Sequence, residues 1–200
     1  MGMGKVIAGL SMSLDGFVAA PDDSVPHIFD WYGNGGVRYG WPGNDMVSQV
    51  TPASAAYLTE MVEQTGALVV GRRVFDYTDG WAGHHPVGVP VFVVSHRGPE
   101  GWDARHDPSL TTFVADGVAS ALEQAQAVAE EKWVSVAGPN IAQQCLDLGL
   151  LDQIRVELVP VLLGDGIPFF ANLEPAPVVL DNPTIIEGDR VTHLIYDVRK

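Results

Sequence analysis

The sequence predicts an α/β fold of three layers: a central, mostly parallel mixed sheet with helices on both faces and antiparallel strands at the C-terminal end. Three observations lead there. Short Val/Ile-rich runs alternate with helix-like segments as far as Gly149. Those runs are continuously apolar rather than alternating, as in strands buried on both faces. The chain then closes in two strand-like runs around Glu187-Gly188-Asp189, which predicts an antiparallel hairpin.

Taken in order, "KVIAGLSMSLDGFVA" reads as a buried strand running into a turn at Asp15-Gly16. Residues 20 to 50 are rich in Gly, Pro, Asp and aromatics and read as a long loop, a length that usually carries function. Thr51-Pro52 supplies an N-cap and a first-turn proline for the helix "ASAAYLTEMVEQT", with Gly66 as its stop. "ALVVG" is a strand, "RRVFDY" a short helix and "VPVFVVS" a strand bounded by Pro90 and by His96-Arg97-Gly98-Pro99. "LTTFVA" is a weak strand. "DGVASALEQAQAVAEE" is a helix with Asp116 as the expected cap, followed by the strand "KWVSVAG". "PNIAQQCLDLG" is a helix from Pro139 to about Leu148, and "QIRVELVPVLLG" a long strand interrupted at Pro160.

Two hundred residues suit one domain, here 1–200, and bury roughly 70% of the unfolded surface without disulfide staples. The formal net charge of −14 argues against nucleic acid as a partner. No apolar run reaches the ~20 residues of a membrane span. The first residues lack the basic start and cleavage site of a secretion signal, and the single Cys145 suits a reducing compartment. The expected location is therefore cytoplasmic.

In so acidic a chain, adjacent cations need a local reason. Arg72 and Arg73 follow Val70-Gly71 where a strand hands over to a helix, and Ser95-His96-Arg97 follows another strand. Val136-Ala137-Gly138-Pro139-Asn140 is a second strand-to-helix junction. Helix N-termini favour anions, and open α/β sheets bind ligands outside the carboxyl ends of their strands. The plainer reading makes the arginines surface ion-pair formers and the glycines turn residues.

These blocks, with "SMSLDGFVA", "LVVGRRVFD", "VPVFVVSHR", "VSVAGPNIAQQCLDLGLLDQI" and "VELVPVLLGDGIPFF", resemble the dihydrofolate reductase superfamily. The similar branch is that of the reductase domain of bacterial riboflavin biosynthesis. The resemblance spans nearly the whole chain. It implies a dihydrofolate-reductase-like fold, NADPH as cofactor and a small heterocyclic substrate, either a pterin (dihydrofolate-like) or an aminouracil ribosyl phosphate. It assigns Gly71, Arg72, Arg73 and Val74 to the adenosine side of the cofactor. Ser95, His96 and Arg97 become a second clamp on the 2′-phosphate and adenine. Gly138, Pro139, Asn140, Ile141 and Ala142 lie under the diphosphate, and Leu14, Asp15, Gly16 and Phe17 in a mobile loop over the nicotinamide. Val136 stands where riboflavin-pathway reductases carry a glutamate. Asp30 is the nearest match to the acid that protonates the pterin. A catalytically silent NADP(H)-binding protein with a sensing or structural role is the alternative.

No metal is implied, and His84-His85 reads as part of a solvated loop. Cys145 reads as a small core residue. Arg155 and Glu157 share a strand face, as a structural pair or as cleft residues. Trp31, Tyr32, Tyr39 and Trp41 either stack on a flat heterocycle or anchor the long loop. The apolar C-terminal part and the family resemblance predict a homodimer.

Overall fold

The computed structural model describes residues 4–98, 102, 110–171 and 173–199. Its frame is an eight-stranded sheet. In chain order the strands are β1 (Val6–Ser13), β2 (Phe17–Ala19), β3 (Val37–Gly40), β4 (Val47–Val50), β5 (Thr65–Gly71), β6 (Val91–Val94), β7 (Thr111–Val114), β8 (Trp133–Ala137), β9 (Gln153–Val159), β10 (Ile167–Pro168), β11 (Thr184–Glu187) and β12 (Thr192–Asp197). The helices are α1 (Pro52–Gln64), α2 (Arg72–Tyr77), α3 (Val118–Ala129) and α4 (Pro139–Asp147), with 3₁₀ turns at Asp30–Gly33 and Asp79–Gly83. The main sheet runs β11-β12-β9-β1-β8-β5-β6-β7. Every pairing from β9 to β7 is parallel, while β12 joins β9 and β11 joins β12 antiparallel.

Both faces of the sheet are buried, which is why its central strands read as unbroken apolar runs. Ala67 and Val69 of β5 and Val134 and Val136 of β8 pack under α3 and α4, against Leu122, Ala125, Ile141 and Cys145. Leu68 and Val70 turn to the other face, with Leu58 of α1, Phe75 of α2 and the long segment that precedes α1. Thr51 caps α1 as predicted, its hydroxyl accepting from the Ser54 amide at 3.1 Å, an interaction worth about 1 kcal/mol.

Four expectations are corrected. Residues 20 to 50 are more than a loop, since they contain a 3₁₀ turn and the antiparallel hairpin β3–β4. Asp116 does not cap α3; Gly117 occupies the N-cap with φ of 90° and no side-chain bond. His85 is half-buried, its ring edge-on to Trp81 at 4.5 Å. Gly66 does not stop α1. It lies inside β5, because a Cβ there would come within 2.9 Å of both the Ala129 and Lys132 Cβ atoms. Gly66 is required for close approach of β5 to the end of α3, not for a turn. Pro99, expected downstream of β6, lies outside the described residues.

Among the described residues no helix is long and apolar enough to cross a membrane. No cluster of three or more His, Cys, Asp or Glu residues is placed to hold a metal ion among them.

The packing at Gly66 makes a direct prediction. Gly66→Ala should lower the unfolding free energy by about 1–3 kcal/mol, the usual cost of overpacking. Urea denaturation measures it, and a stabilised variant would refute the close-approach reading.

Candidate functional site

The parallel strands deliver the predicted residues to one edge. Val70 of β5 pairs with Ala137 of β8, so the two strand-to-helix junctions sit side by side. Their glycines are in near contact. A Cβ on Gly138 would lie 3.1 Å from Val74 Cγ2 and 3.8 Å from the Gly71 nitrogen. A Cβ on Gly71 would lie 3.3 Å from Ile141 Cγ1. Gly138 also has φ of +108°, a conformation that side chains strain to adopt. Larger residues at either position would fill the space between the junctions.

A cleft of about 270 Å³ opens there. Its floor and one side come from Gly71, Arg73 and Val74, then Gly138 to Ile141. Val18, Val25, Phe29 and Ile167 give it apolar walls, and Ser11 of β1 is part of its lining. Ala142, by contrast, is wholly buried on the core-facing side of α4.

The cations are held in place by neighbours. Arg72 Nε donates to Asp76 at 2.7 Å, and its Nη1 donates to the Arg97 carbonyl at 2.9 Å and to Ser95 Oγ at 3.4 Å. The Ser95 hydroxyl donates to the same Arg97 carbonyl at 2.8 Å. The "GRR" and "SHR" motifs are thus fastened to each other, and His96 and Arg97 are exposed beside them. They flank the cleft and are not part of its lining. Arg73 crosses to Asp23 at 2.6 Å, and both of those residues line the cleft. The ion-pair reading of the arginines is therefore correct as far as their present partners go.

The turn at Leu14-Asp15-Gly16 is tied down on several sides. Asp15 accepts from Ser13 Oγ at 2.6 Å, from the Leu163 amide at 3.1 Å and from the Gly164 amide at 2.7 Å. The Leu14 amide donates to the Val161 carbonyl, and the Phe169 amide donates to that of Gly16. Gly16 has φ of +91° with open space around it. β2 beyond the turn pairs with β10, so Val18 and Ala19 reach the cleft although Leu14, Asp15 and Gly16 do not. A mobile lid was expected here; the hydrogen bonds describe an anchored turn.

Asp30 opens the 3₁₀ turn at Asp30–Gly33, and its carboxylate meets His27 Nδ1 at 2.7 Å, largely in solvent. It does not line the cleft, whereas its neighbour Phe29 does. The four aromatics of this segment pack on one another. Trp31 lies 4.2 Å from Tyr32, and Trp41 lies 5.6 Å from Tyr32 and 5.4 Å from Tyr39, ring to ring. Trp31 and Trp41 are buried, and each donates its indole N–H to a serine hydroxyl, Ser11 and Ser48 respectively. They anchor the segment.

One residue of the site region stands out only in the structure, and another has partners that the sequence did not show. Ser11 is an ordinary residue of an apolar strand in the sequence, and nothing in its pattern marks it. Glu157 was read together with Arg155, yet the two do not pair. Buried Arg155 reaches Gln153 and Glu60 and lies 4.4 Å over Trp133. Glu157 accepts from Tyr57 at 2.5 Å and from Ser11 at 3.3 Å.

The Asp15 clamp carries a pH signature. Its hydrogen bonds with Ser13 and Gly164 hold the carboxyl below the ordinary aspartate value. A carboxyl whose folded value is depressed adds stability above the unfolded value of about 3.9, and that stability is lost as pH falls through the lower folded value. Asp15→Asn should therefore melt earlier than the parent at about pH 7 and lose less on acidification below about pH 4. Thermal melts across that range check it, and parallel curves for parent and variant would contradict the clamp.

The chain matches the family described as the RibD C-terminal domain over residues 4–180. It is 20% identical over 170 residues to the uncharacterized protein YwjB of Bacillus subtilis, covering 84% of each chain. A solved structure from Shewanella sp. PV-4, titled "Putative riboflavin biosynthesis protein", has a TM-score of 0.69 at 21% identity, with 98% of this chain and 99% of that one covered. Dihydrofolate reductase from Enterococcus faecalis, solved with NADP(H) and RAB-propyl, has a TM-score of 0.60 at 12% identity, with 99% and 98% covered. The fold is thus dihydrofolate-reductase-like, and the chain belongs to the RibD C-terminal domain family.

Proposed function

We propose that this protein is a reductase that uses NADPH to reduce a small heterocycle. The observation that carries the reading is the pair of abutting glycine junctions, Gly71 and Gly138, beside the fastened cations of Arg72 and Ser95-His96-Arg97. The donor set fits the cofactor. Gly138 leaves the first turn of α4 open to a diphosphate, which its unpaired amides favour. Arg72, Arg73, His96 and Arg97 would hold the adenosine 2′-phosphate, with Asp76 and Asp23 releasing their arginines to it. The apolar walls at Val18, Val25, Phe29 and Ile167 suit a flat ring and exclude water from it. When bound, the dihydronicotinamide supplies a hydride; the chain supplies orientation, water exclusion and a proton.

Family membership and the fold support a reductase, and the occupied cofactor site of the E. faecalis enzyme supports the choice of nicotinamide. A pterin or an aminouracil ribosyl phosphate is the substrate class. The reading takes residues 1–200 as a single domain acting in the cytoplasm, and it includes a homodimer, for which the exposed Leu162, Val179 and Ile185 provide apolar surface.

A charge-assisted hydrogen bond contributes roughly 1.5–3 kcal/mol, so the 2′-phosphate should give NADPH about a ten- to hundredfold preference over NADH. Arg72→Ala should remove most of that preference and change NADH affinity little. Fluorescence titration with both cofactors checks this; equal affinities in the parent would sink the reading.

A further inference from the structure

Behind the cleft, a polar row crosses the sheet on the face that α1 covers. Ser11 of β1, Glu157 of β9 and His193 of β12 stand in register, so their side chains share that face. The 3₁₀ turn at Asp30–Gly33 adds Trp31 and Tyr32, and α1 adds Tyr57. Ser11 is the member that lines the cleft. Its hydroxyl lies 3.2 Å from Trp31 Nε1 and 3.3 Å from Glu157 Oε2, while Tyr57 holds Glu157 Oε1 at 2.5 Å.

We propose that Glu157 is the proton source of the site and that the Ser11 hydroxyl is its outlet into the cleft, an assignment that rests on the reductase reading above.

Hydrogen-bond stoichiometry carries the argument. A hydroxyl offers one donor and two acceptor lone pairs. The Trp31 indole can only donate, so it takes one lone pair of Ser11. If Glu157 is ionised, it can only accept, and the single Ser11 proton is committed to it. If Glu157 carries a proton on Oε2, it donates to the second Ser11 lone pair. The Ser11 proton is then left over, and the cleft is where it can go. Tyr57 satisfies Oε1 in either case. The charge state of Glu157 therefore sets whether Ser11 presents a donor to the cleft.

The surroundings favour the neutral acid. Burial pushes the Glu157 carboxyl above its ordinary value, outweighing the hydrogen bonds from Tyr57 and Ser11 and the charge of Arg155. Arg155 is the cation on the same strand, and it is already engaged by Glu60 at 3.2 Å. His193 stands beside Glu157 on β12, but burial holds its imidazole down at about 4, so it is uncharged near neutrality. Tyr57 from α1 and Tyr32 from the 3₁₀ turn are both held above the ordinary phenol value, chiefly by burial. They too are neutral.

The transfer balances. The Ser11 O–H breaks as its proton passes to a lone pair on the acceptor ring, and a new Ser11 O–H forms from the Glu157 Oε2 proton. Glu157 is left as a carboxylate held by Tyr57, to be reprotonated from solvent. A reduced nicotinamide, when bound, would supply the hydride.

Glu157→Gln is the decisive variant, because its amide preserves both hydrogen bonds and has no proton to give. Infrared spectra of the parent should contain a carboxylic acid C=O band at about pH 7, far above the ordinary glutamate value of about 4.3. The band should vanish in Glu157→Gln and shift in Ser11→Ala. With NADPH and 7,8-dihydrofolate as probes, Glu157→Gln should keep NADPH affinity, lose at least about tenfold in turnover and lose the alkaline limb of the parent's pH profile. An ionised Glu157 at about pH 6–7, or a Glu157→Gln profile matching the parent's, would overturn the proposal. Failure of the parent to bind NADPH would defeat the reductase reading instead. If the parent binds NADPH without turning over dihydrofolate, the infrared band and its response to Ser11→Ala decide whether Glu157 holds the proton at Ser11.

Discussion

Parallel pairing of β1, β8, β5 and β6 is the constraint on which the site depends. Parallel strands end on the same side of a sheet, and their connections must cross over its faces as helices. The pairings Ala8–Val136, Val70–Ala137 and Gly71–Val94 therefore bring residues from distant parts of the chain to one edge. Gly71 ends β5 there, and Ser95 and Gly138 follow β6 and β8. The near contact of Gly138 with Val74 fixes how closely α2 and α4 begin, and so shapes the floor of the cleft. Loss of the parallel register would scatter these residues even if every helix survived.

The two faces of the sheet have different chemistry. Under α3 and α4 the packing is apolar, and Val136 is buried there among alanines and valines. Under α1 the row of Ser11, Glu157 and His193, with Arg155 and Gln153 beside it, makes the layer markedly polar. Buried polar groups of this kind cost stability unless their partners are supplied. Tyr57, Trp31 and Ser54 supply most of them, the last at 2.9 Å from His193 Nε2, while His193 Nδ1 is buried without a hydrogen-bond partner. A fold that keeps such a row beside a cleft, and anchors Trp31 to its first serine, holds the cleft wall and the acid in one rigid unit.

Much of the fold was legible because continuous apolar runs and helix signals such as Thr51-Pro52 depend on neighbouring residues alone. The errors came where distant chain segments decide. Gly66 looked like a helix stop, yet its need is set by Ala129 and Lys132. The β3–β4 hairpin was hidden by short strands amid glycines and prolines. The cationic motifs were found from sequence, but their mutual fastening through the Arg97 carbonyl was not, since it joins two separate strand ends. Glu157 was noticed beside Arg155 on a strand face. Its partners Ser11 and Tyr57 lie 146 and 100 residues away, and no local pattern points to them.

The central claim is that NADPH lies along the edge formed by these strand ends. Hydrogen–deuterium exchange with and without NADPH tests it most directly. The account predicts protection of the amides in residues 71–74, 95–97 and 138–142, with little change in α3. Unchanged exchange at these segments, or protection confined to another part of the chain, would contradict it.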